Sequence, residues 1–220
     1  MGGLIPLSDA SRRPMHFPIV TVCVIVVNFL VFGLELGGGD PFVLKWAAIP
    51  ANITAGHNWI SIFTAMFMHG SWSHILGNMI FLWAFGPEME DVMGRLRYIA
   101  FYFAGGLVAM LAQVALSPTS TVPNLGASGA IAAVMGGFLV MYPTDQIRVI
   151  LLIFIFVRIK LIPAALLIGV WFLIQVFNVG SVAKVQSGGV AYAAHVGGAI
   201  FGMVFARLFV DRRRVNAYAG

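Results

Sequence analysis

Apolar residues along this chain form six runs of about the length that a helix needs to cross a bilayer. Such a helix takes about 20 mostly apolar residues, with a range of about 17–25. The predicted spans are Phe17–Leu36, Trp72–Phe85 with some extension, Tyr98–Leu116, Gly126–Tyr142, Leu161–Val179 and Ala191–Val210. The second is the weakest, because polar Ser73, His74 and Asn78 interrupt one end of it. The pattern predicts an all-α polytopic membrane protein with six transmembrane helices.

Two shorter segments lie between these spans. The run Val149–Val157 is too short to cross a bilayer and is rich in β-branched residues, and Arg148 and Arg158 bracket it. We interpret it as an interfacial or hairpin segment. The longest loop opens with Gly37-Gly38-Gly39-Asp40-Pro41, which predicts a break in the preceding helix. Aromatic residues follow, so we expect this loop to lie on or in the outer leaflet.

The composition makes lipid the main solvent of this protein. The 220 residues are 60% hydrophobic and only 10% charged, and the mean hydropathy is +0.94. A soluble domain carries about 25% charged residues. The length suits one membrane domain over residues 1–220, with short cytoplasmic tails at 1–16 and 211–220. The one cysteine, Cys23, excludes a disulfide framework and a cluster of thiol ligands.

Basic residues predict the orientation of the spans. With six spans, one face receives eleven of the thirteen Lys and Arg residues, and the other receives only Lys45 and Lys184. The eleven are Arg12, Arg13, Arg95, Arg97, Arg148, Arg158, Lys160, Arg207, Arg212, Arg213 and Arg214. By the positive-inside rule both termini are then cytoplasmic, and we expect the host to be the inner (plasma) membrane. The basic residues behind the net charge of +5 therefore indicate how the protein is oriented in the membrane, and we do not expect it to bind nucleic acid.

Polar residues from three separate spans fall at one depth of the membrane. Spans two, four and six all run from the outside to the inside, so their first residues share the outer face. His74 and Asn78 lie near the start of span two, Ser128 near the start of span four, and His195 near the start of span six. Polar groups inside a membrane are costly and are therefore candidates for function.

Ser128 stands at the start of a span made largely of small residues, in Gly126-Ala127-Ser128-Gly129-Ala130. So thin a helix can be approached closely from every side, so we expect span four at the centre of a compact bundle. Backbone N–H groups in its first turn lack helical partners and can stabilise an oxyanion. A serine among small residues also serves as a helix-packing contact in membranes, and that alternative stays open.

His195 borders a face of small residues in which Ala194, Gly198 and Gly202 are spaced by four. This face favours close contact with another helix, and the helix of Ser128 is the natural neighbour. His195 is then a candidate general base for the serine; a structural hydrogen bond between helices is the alternative. All the acidic residues lie in loops or at span ends, so we predict a dyad and not a triad.

His74 and Asn78 are four residues apart and share one helix face. An imidazole and an amide that face a serine suit the donor role of an oxyanion hole, although Asn78 is also suited to an interhelical hydrogen bond. We expect His69 to hold the loop. Metal binding is the chemical rival, but the histidines lack the spacing of a ligand set and no His-Glu-x-x-His signature occurs. We predict no metal and no cofactor.

The motifs together resemble one known family. They are Met68-His69-Gly70 with His74-Ile75-Leu76-Gly77-Asn78, Gly126-Ala127-Ser128-Gly129, and Ala194-His195-Val196-Gly197-Gly198 ending at Gly202. In this order they resemble the rhomboid intramembrane serine proteases over almost the whole chain. The resemblance implies Ser128 as nucleophile, His195 as base, and His74, Asn78 and the Ser128 backbone as oxyanion stabilisers. It also implies cleavage of transmembrane segments of other proteins near the outer leaflet, often at small residues.

Two positions depart from the pattern of some family members. Four residues after the serine, where some members have an aromatic ring stacked on the histidine, this chain has Ala132. In the first loop, where some members have a Trp-Arg pair, only Lys45-Trp46 is near. One alternative function is a non-catalytic rhomboid-like binder or chaperone; inactive relatives typically lose the serine or histidine, and this chain keeps both. Another is a transporter, but the predicted spans lack the mid-membrane charges that transporters often carry.

Overall fold

The computed structural model describes residues 3–153, 156–182, 190–211 and 213–214. Most of these residues are helical. In chain order the helices are α1 (Ile19–Trp46), α2 (Pro50–Thr54), α3 (Ser61–Thr64), α4 (Trp72–Met93), α5 (Arg95–Leu116), α6 (Ser128–Met141), α7 (Ala164–Val182) and α8 (Tyr192–Phe209). A short 3₁₀ turn, Ala65–Phe67, follows α3.

Each of the six predicted spans falls on one of the long helices, namely α1 and α4 to α8. Three of these, α1, α5 and α8, are long and apolar enough to cross a membrane, and two shorter apolar helices are Ser128–Met141 and Ala164–Val179. The chain is therefore a helical, multi-pass membrane protein. Lys184 and Arg212, which entered the charge count, lie outside the described residues.

The break predicted at Gly37–Pro41 is present, as a kink that divides α1 into two helical stretches. The helix α1 continues to Trp46, but Gly39 has φ 58° and ψ −153°, so the helix is kinked there. Pro41 lies two residues later, and because proline has no backbone N–H it cannot donate a helical hydrogen bond there. The glycines and the proline thus redirect the chain, and a second helical stretch leads into the loop.

A three-stranded antiparallel sheet accompanies the helices, so the all-α prediction is incomplete. The hairpin predicted around Val149–Val157 is confirmed, and its arms are the strands β2 (Gln146–Ile153) and β3 (Phe156–Pro163). Its two turn residues lie outside the described part. A further strand, β1 (Gly3–Asp9), pairs with β2 and lies against α4. The N-terminal segment, predicted as a plain tail, is therefore an element of the sheet.

The helix α6 occupies the centre of the bundle, as its small residues predict. Every residue from Gly129 to Phe138 is buried. Helices α4, α5, α7 and α8 all pack against it. Since α6 begins at Ser128, this serine stands at one end of the most enclosed of the described helices.

Candidate active site

The segment before α6 is shaped to bring Ser128 near α4. Gly126 has φ +130°, in the region that disfavours a side chain, and its N–H donates to the carbonyl of Ala65 at 2.8 Å. A Cβ atom at Gly126 would lie 3.0 Å from the His74 imidazole. A glycine is therefore needed here both for the backbone turn and for the approach of His74.

The helices α6 and α8 pack with their backbones in near contact. A Cβ atom at Gly198 would overlap with the carbonyl oxygen of Gly129, and one at Gly202 would overlap with that of Ala133. The small-residue face predicted on α8 therefore packs on α6. This contact holds the first turns of the two helices side by side, where Ser128 and His195 stand.

His195 contacts Ser128 directly. Its Nε2 atom lies 2.8 Å from the Ser128 Oγ atom. His195 is 9% exposed, while Ser128 is partly exposed. Because the oxygen is reachable and the imidazole is shielded, the pair has the arrangement of a nucleophile and its base.

The second ring nitrogen of His195 is bound as well. Its Nδ1 atom lies 2.8 Å from the Oε1 atom of Gln175 on α7. The Trp171 ring, one turn earlier on α7, lies 5.9 Å from the imidazole between centroids, at an angle of 36°. Sequence reasoning missed both residues. A lone glutamine in an apolar span was the available signal, since polar groups inside a membrane are costly.

Asn78 is held by the loop that precedes α4. Its Nδ2 atom lies 2.8 Å from the Nε2 atom of His69, and the backbone N–H of His69 donates to Glu35 Oε2 at 2.8 Å. Burial first, and the nearby His74 second, lower the pKa of His69 to about 4. His69 is therefore neutral at pH 7, and its Nε2 atom accepts from the Asn78 amide. The Glu35 carboxylate therefore binds the loop backbone at His69 and does not contact His195.

All four predicted site residues line one cleft. Its volume is about 630 Å³, and Ser128, His195, His74 and Asn78 contribute to its wall. The remaining wall comes from the start of α4, residues 122–125 and residues 190–191. The cleft lies at the end of the bundle where α4, α6 and α8 begin. A second hollow, of only about 20 Å³, adjoins Ser128 and is lined largely by glycine and alanine.

The histidines of this region do not assemble into a ligand set. The rings of His69 and His74 meet edge to face, with 5.1 Å between their centroids. Within the described ranges, no group of three or more His, Cys, Asp or Glu side chains is placed to hold a metal ion. The polar side chains of the cleft are hydroxyls, imidazoles and amides, which can transfer protons and form hydrogen bonds.

Comparison with known proteins gives a consistent result. A family model described as "Rhomboid domain" matches residues 56–212. The yeast Saccharomyces cerevisiae protein "Rhomboid protein 1, mitochondrial" is 30% identical over 190 residues, which cover 81% of this chain and 50% of the relative. The "Rhomboid protease GluP" of Bacillus subtilis is 29% identical over 126 residues, which cover 56% of this chain and 24% of the relative. The chain thus spans half of the first relative's length and less of the second's.

Proposed function

The chain belongs to the rhomboid family, and we propose that it is an intramembrane serine endopeptidase that cleaves transmembrane segments of other membrane proteins. The observation that carries this proposal is the 2.8 Å hydrogen bond between Ser128 Oγ and His195 Nε2 at the open cleft. Its second support is that relatives such as GluP are named as proteases. Serine catalysis needs a hydroxyl with a base in hydrogen-bonding reach, and these two residues provide both.

The reaction proceeds through an acyl-enzyme. His195 Nε2 takes the proton of Ser128 as Oγ bonds to the carbonyl carbon of the substrate peptide, giving a tetrahedral oxyanion. His195 then gives the proton to the leaving amine as the C–N bond breaks. A water molecule, deprotonated by His195, attacks the ester, and the product acid leaves as Ser128 regains its proton. No cofactor or metal enters any step.

The developing oxyanion has donors on two sides of the cleft. The backbone N–H groups at the start of α6 lack a side-chain cap and are positioned beside Ser128. His74 and Asn78 line the same cleft as Ser128, from α4. We assign these groups to oxyanion stabilisation, which is usually among the largest contributions to such a reaction.

The small hollow beside Ser128 favours a small side chain next to the cleaved bond. Its volume of about 20 Å³ is room for about one water-sized group, so a methyl group fits and an aromatic ring does not. We therefore assign to this chain a preference for substrates with alanine, and not phenylalanine, at that position.

The proposed membrane arrangement is one rhomboid domain over residues 1–220, with six spans, both termini cytoplasmic, and the cleft near the outer leaflet of the plasma membrane. Its support is the bias of Lys and Arg toward one face. Single cysteines at Thr119 and Ala217, in a Cys23→Ser background, should label from opposite sides of sealed cells. Labelling of both from outside contradicts the arrangement. Since the yeast relative is named as mitochondrial, the host membrane is checked separately by fractionation.

Cleavage by the purified protein tests the function. In proteoliposomes with a reporter transmembrane substrate, we expect cleavage by the wild type and by Ser73→Ala, but not by Ser128→Ala. Ser73 is the matched control, because it lines the same cleft from α4. Binding of the substrate with no cleavage by the wild type would instead favour the non-catalytic binder.

A further inference from the structure

The His195 imidazole is bound by Gln175 on α7, a helix that carries neither Ser128 nor the proposed oxyanion donors. Gln175, on α7, is 6% exposed, whereas its neighbours Ile174 and Val176 are 50% and 42% exposed. The glutamine is therefore turned into the bundle while the residues beside it face outward. Placing an amide there is costly in a membrane unless its polar atoms are satisfied.

Both polar atoms of the Gln175 amide have partners, and these fix its orientation. The Nε2 atom donates to the carbonyl of Trp171 at 3.3 Å. A carbonyl oxygen can only accept, so the amide nitrogen points toward Trp171. The Oε1 atom is left facing His195 Nδ1 at 2.8 Å. Since Oε1 can only accept, Nδ1 must carry the proton.

The protonation of Nδ1 decides whether His195 is a base for Ser128. A neutral imidazole carries one proton, so a proton on Nδ1 leaves Nε2 free to accept from the serine hydroxyl. The other tautomer has no lone pair on Nε2 and cannot accept. We infer that Gln175 is the positioning residue that fixes this tautomer and aims the His195 ring at Ser128, a role that rests on the proposed function.

Trp171 supports the same ring from the same helix. It lies four residues before Gln175, on one face of α7, and its ring flanks the imidazole. On α6, Ala132 is fully buried and offers only a methyl group. The ring contact that some family members take from the helix of the serine is therefore supplied here by α7.

If Gln175 positions His195, its substitution should lower kcat even where the packing of the side chain is preserved. Gln175→Met keeps the length and volume of the side chain but removes the strong acceptor. We expect kcat to fall about 10- to 100-fold, by analogy with the loss of a residue that orients a metal-bound histidine, with KM nearly unchanged. Gln175→Glu keeps an acceptor oxygen and should restore kcat to within about threefold of the wild type. Val176→Ala, at the outward-facing neighbour, is the matched control.

The experiment measures kcat, KM and the melting temperature of these variants in proteoliposomes or detergent, with Ser128→Ala alongside. A wild-type kcat in Gln175→Met, or a change in KM only, overturns the inference. A kcat as low in Gln175→Glu as in Gln175→Met also overturns it, provided that both melt within a few degrees of the wild type. If Gln175→Met does not fold, Gln175→Ala replaces it as the variant without an acceptor. Cleavage by Ser128→Ala instead contradicts the proposed function itself.

Discussion

Gly198 on α8 lies against the backbone of Gly129 on α6, so closely that a Cβ atom at Gly198 would overlap with the Gly129 carbonyl oxygen. Gly129 directly follows Ser128, and Gly198 follows His195 by one helical turn. The distance between the two helices at this contact therefore governs the distance between the serine and the histidine.

Gly198→Ala should separate α6 from α8 and lower activity. Overpacking of this kind costs about 1–3 kcal/mol, and a displacement of about 1 Å lowers the rate about 10²-fold. We expect a lower melting temperature and a loss of cleavage near that magnitude. Gly169→Ala on α7 is the control, because nothing lies within 4 Å of a Cβ atom there. Equal activity of the two variants would show that this contact does not set the site geometry.

Asn78→Ala should lower kcat about 100- to 1000-fold, the cost of losing one oxyanion donor. The effect should appear in protein that is still folded, as judged by melting temperature. A purely structural Asn78, which ties α4 to His69, predicts the opposite: a lower melting temperature with kcat preserved. Ser73→Ala, on the same helix and cleft, should change neither quantity.

Asp9 should make stability depend on pH. Burial first, and Asp145 after it, raise the pKa of Asp9 from 3.8 to about 6. The folded state thus favours the protonated acid, so this contribution is fully present below pH 3.8 and is lost as the pH rises through about 6. Asp9→Asn should raise the melting temperature relative to the wild type more at pH 7.5 than at pH 5.

The exposed Asp40 provides the control for that measurement. Asp40→Asn should leave the difference in melting temperature between pH 5 and pH 7.5 as it is in the wild type. If Asp9→Asn also leaves this difference unchanged, the pKa of Asp9 is not raised in the folded protein.

The sequence was most informative where a pattern is local or is imposed by the bilayer. Run length and hydropathy placed the six long helices, and the small residues of α6 predicted its central position. The predicted direction of each span placed Ser128 and His195 at the same end of the bundle, because a bilayer permits few arrangements of a helix. The glycine spacing on α8 then indicated which face meets α6.

The sequence was least informative where a contact is non-local. Strand β1 pairs with residues far along the chain, such as Leu4 with Leu151, and an apolar tail of seven residues carries no signal for that partner. Gln175 was visible as a polar residue in an apolar span. Its contact with His195 depends on the rotation of α7 about its axis, and Gln175 and Asn178 are too few polar residues in an otherwise apolar span to determine that rotation from the sequence.

Covalent labelling by a fluorophosphonate tests the Ser128–His195 pair most directly, because the reagent reports an activated serine without a substrate. Peptide mass spectrometry of the labelled wild type should place the adduct on Ser128. His195→Ala should label about 10²–10⁴-fold more slowly, the contribution of a general base, and Ser128→Ala should not label. An adduct on another residue, or labelling of His195→Ala at the wild-type rate, would contradict the account.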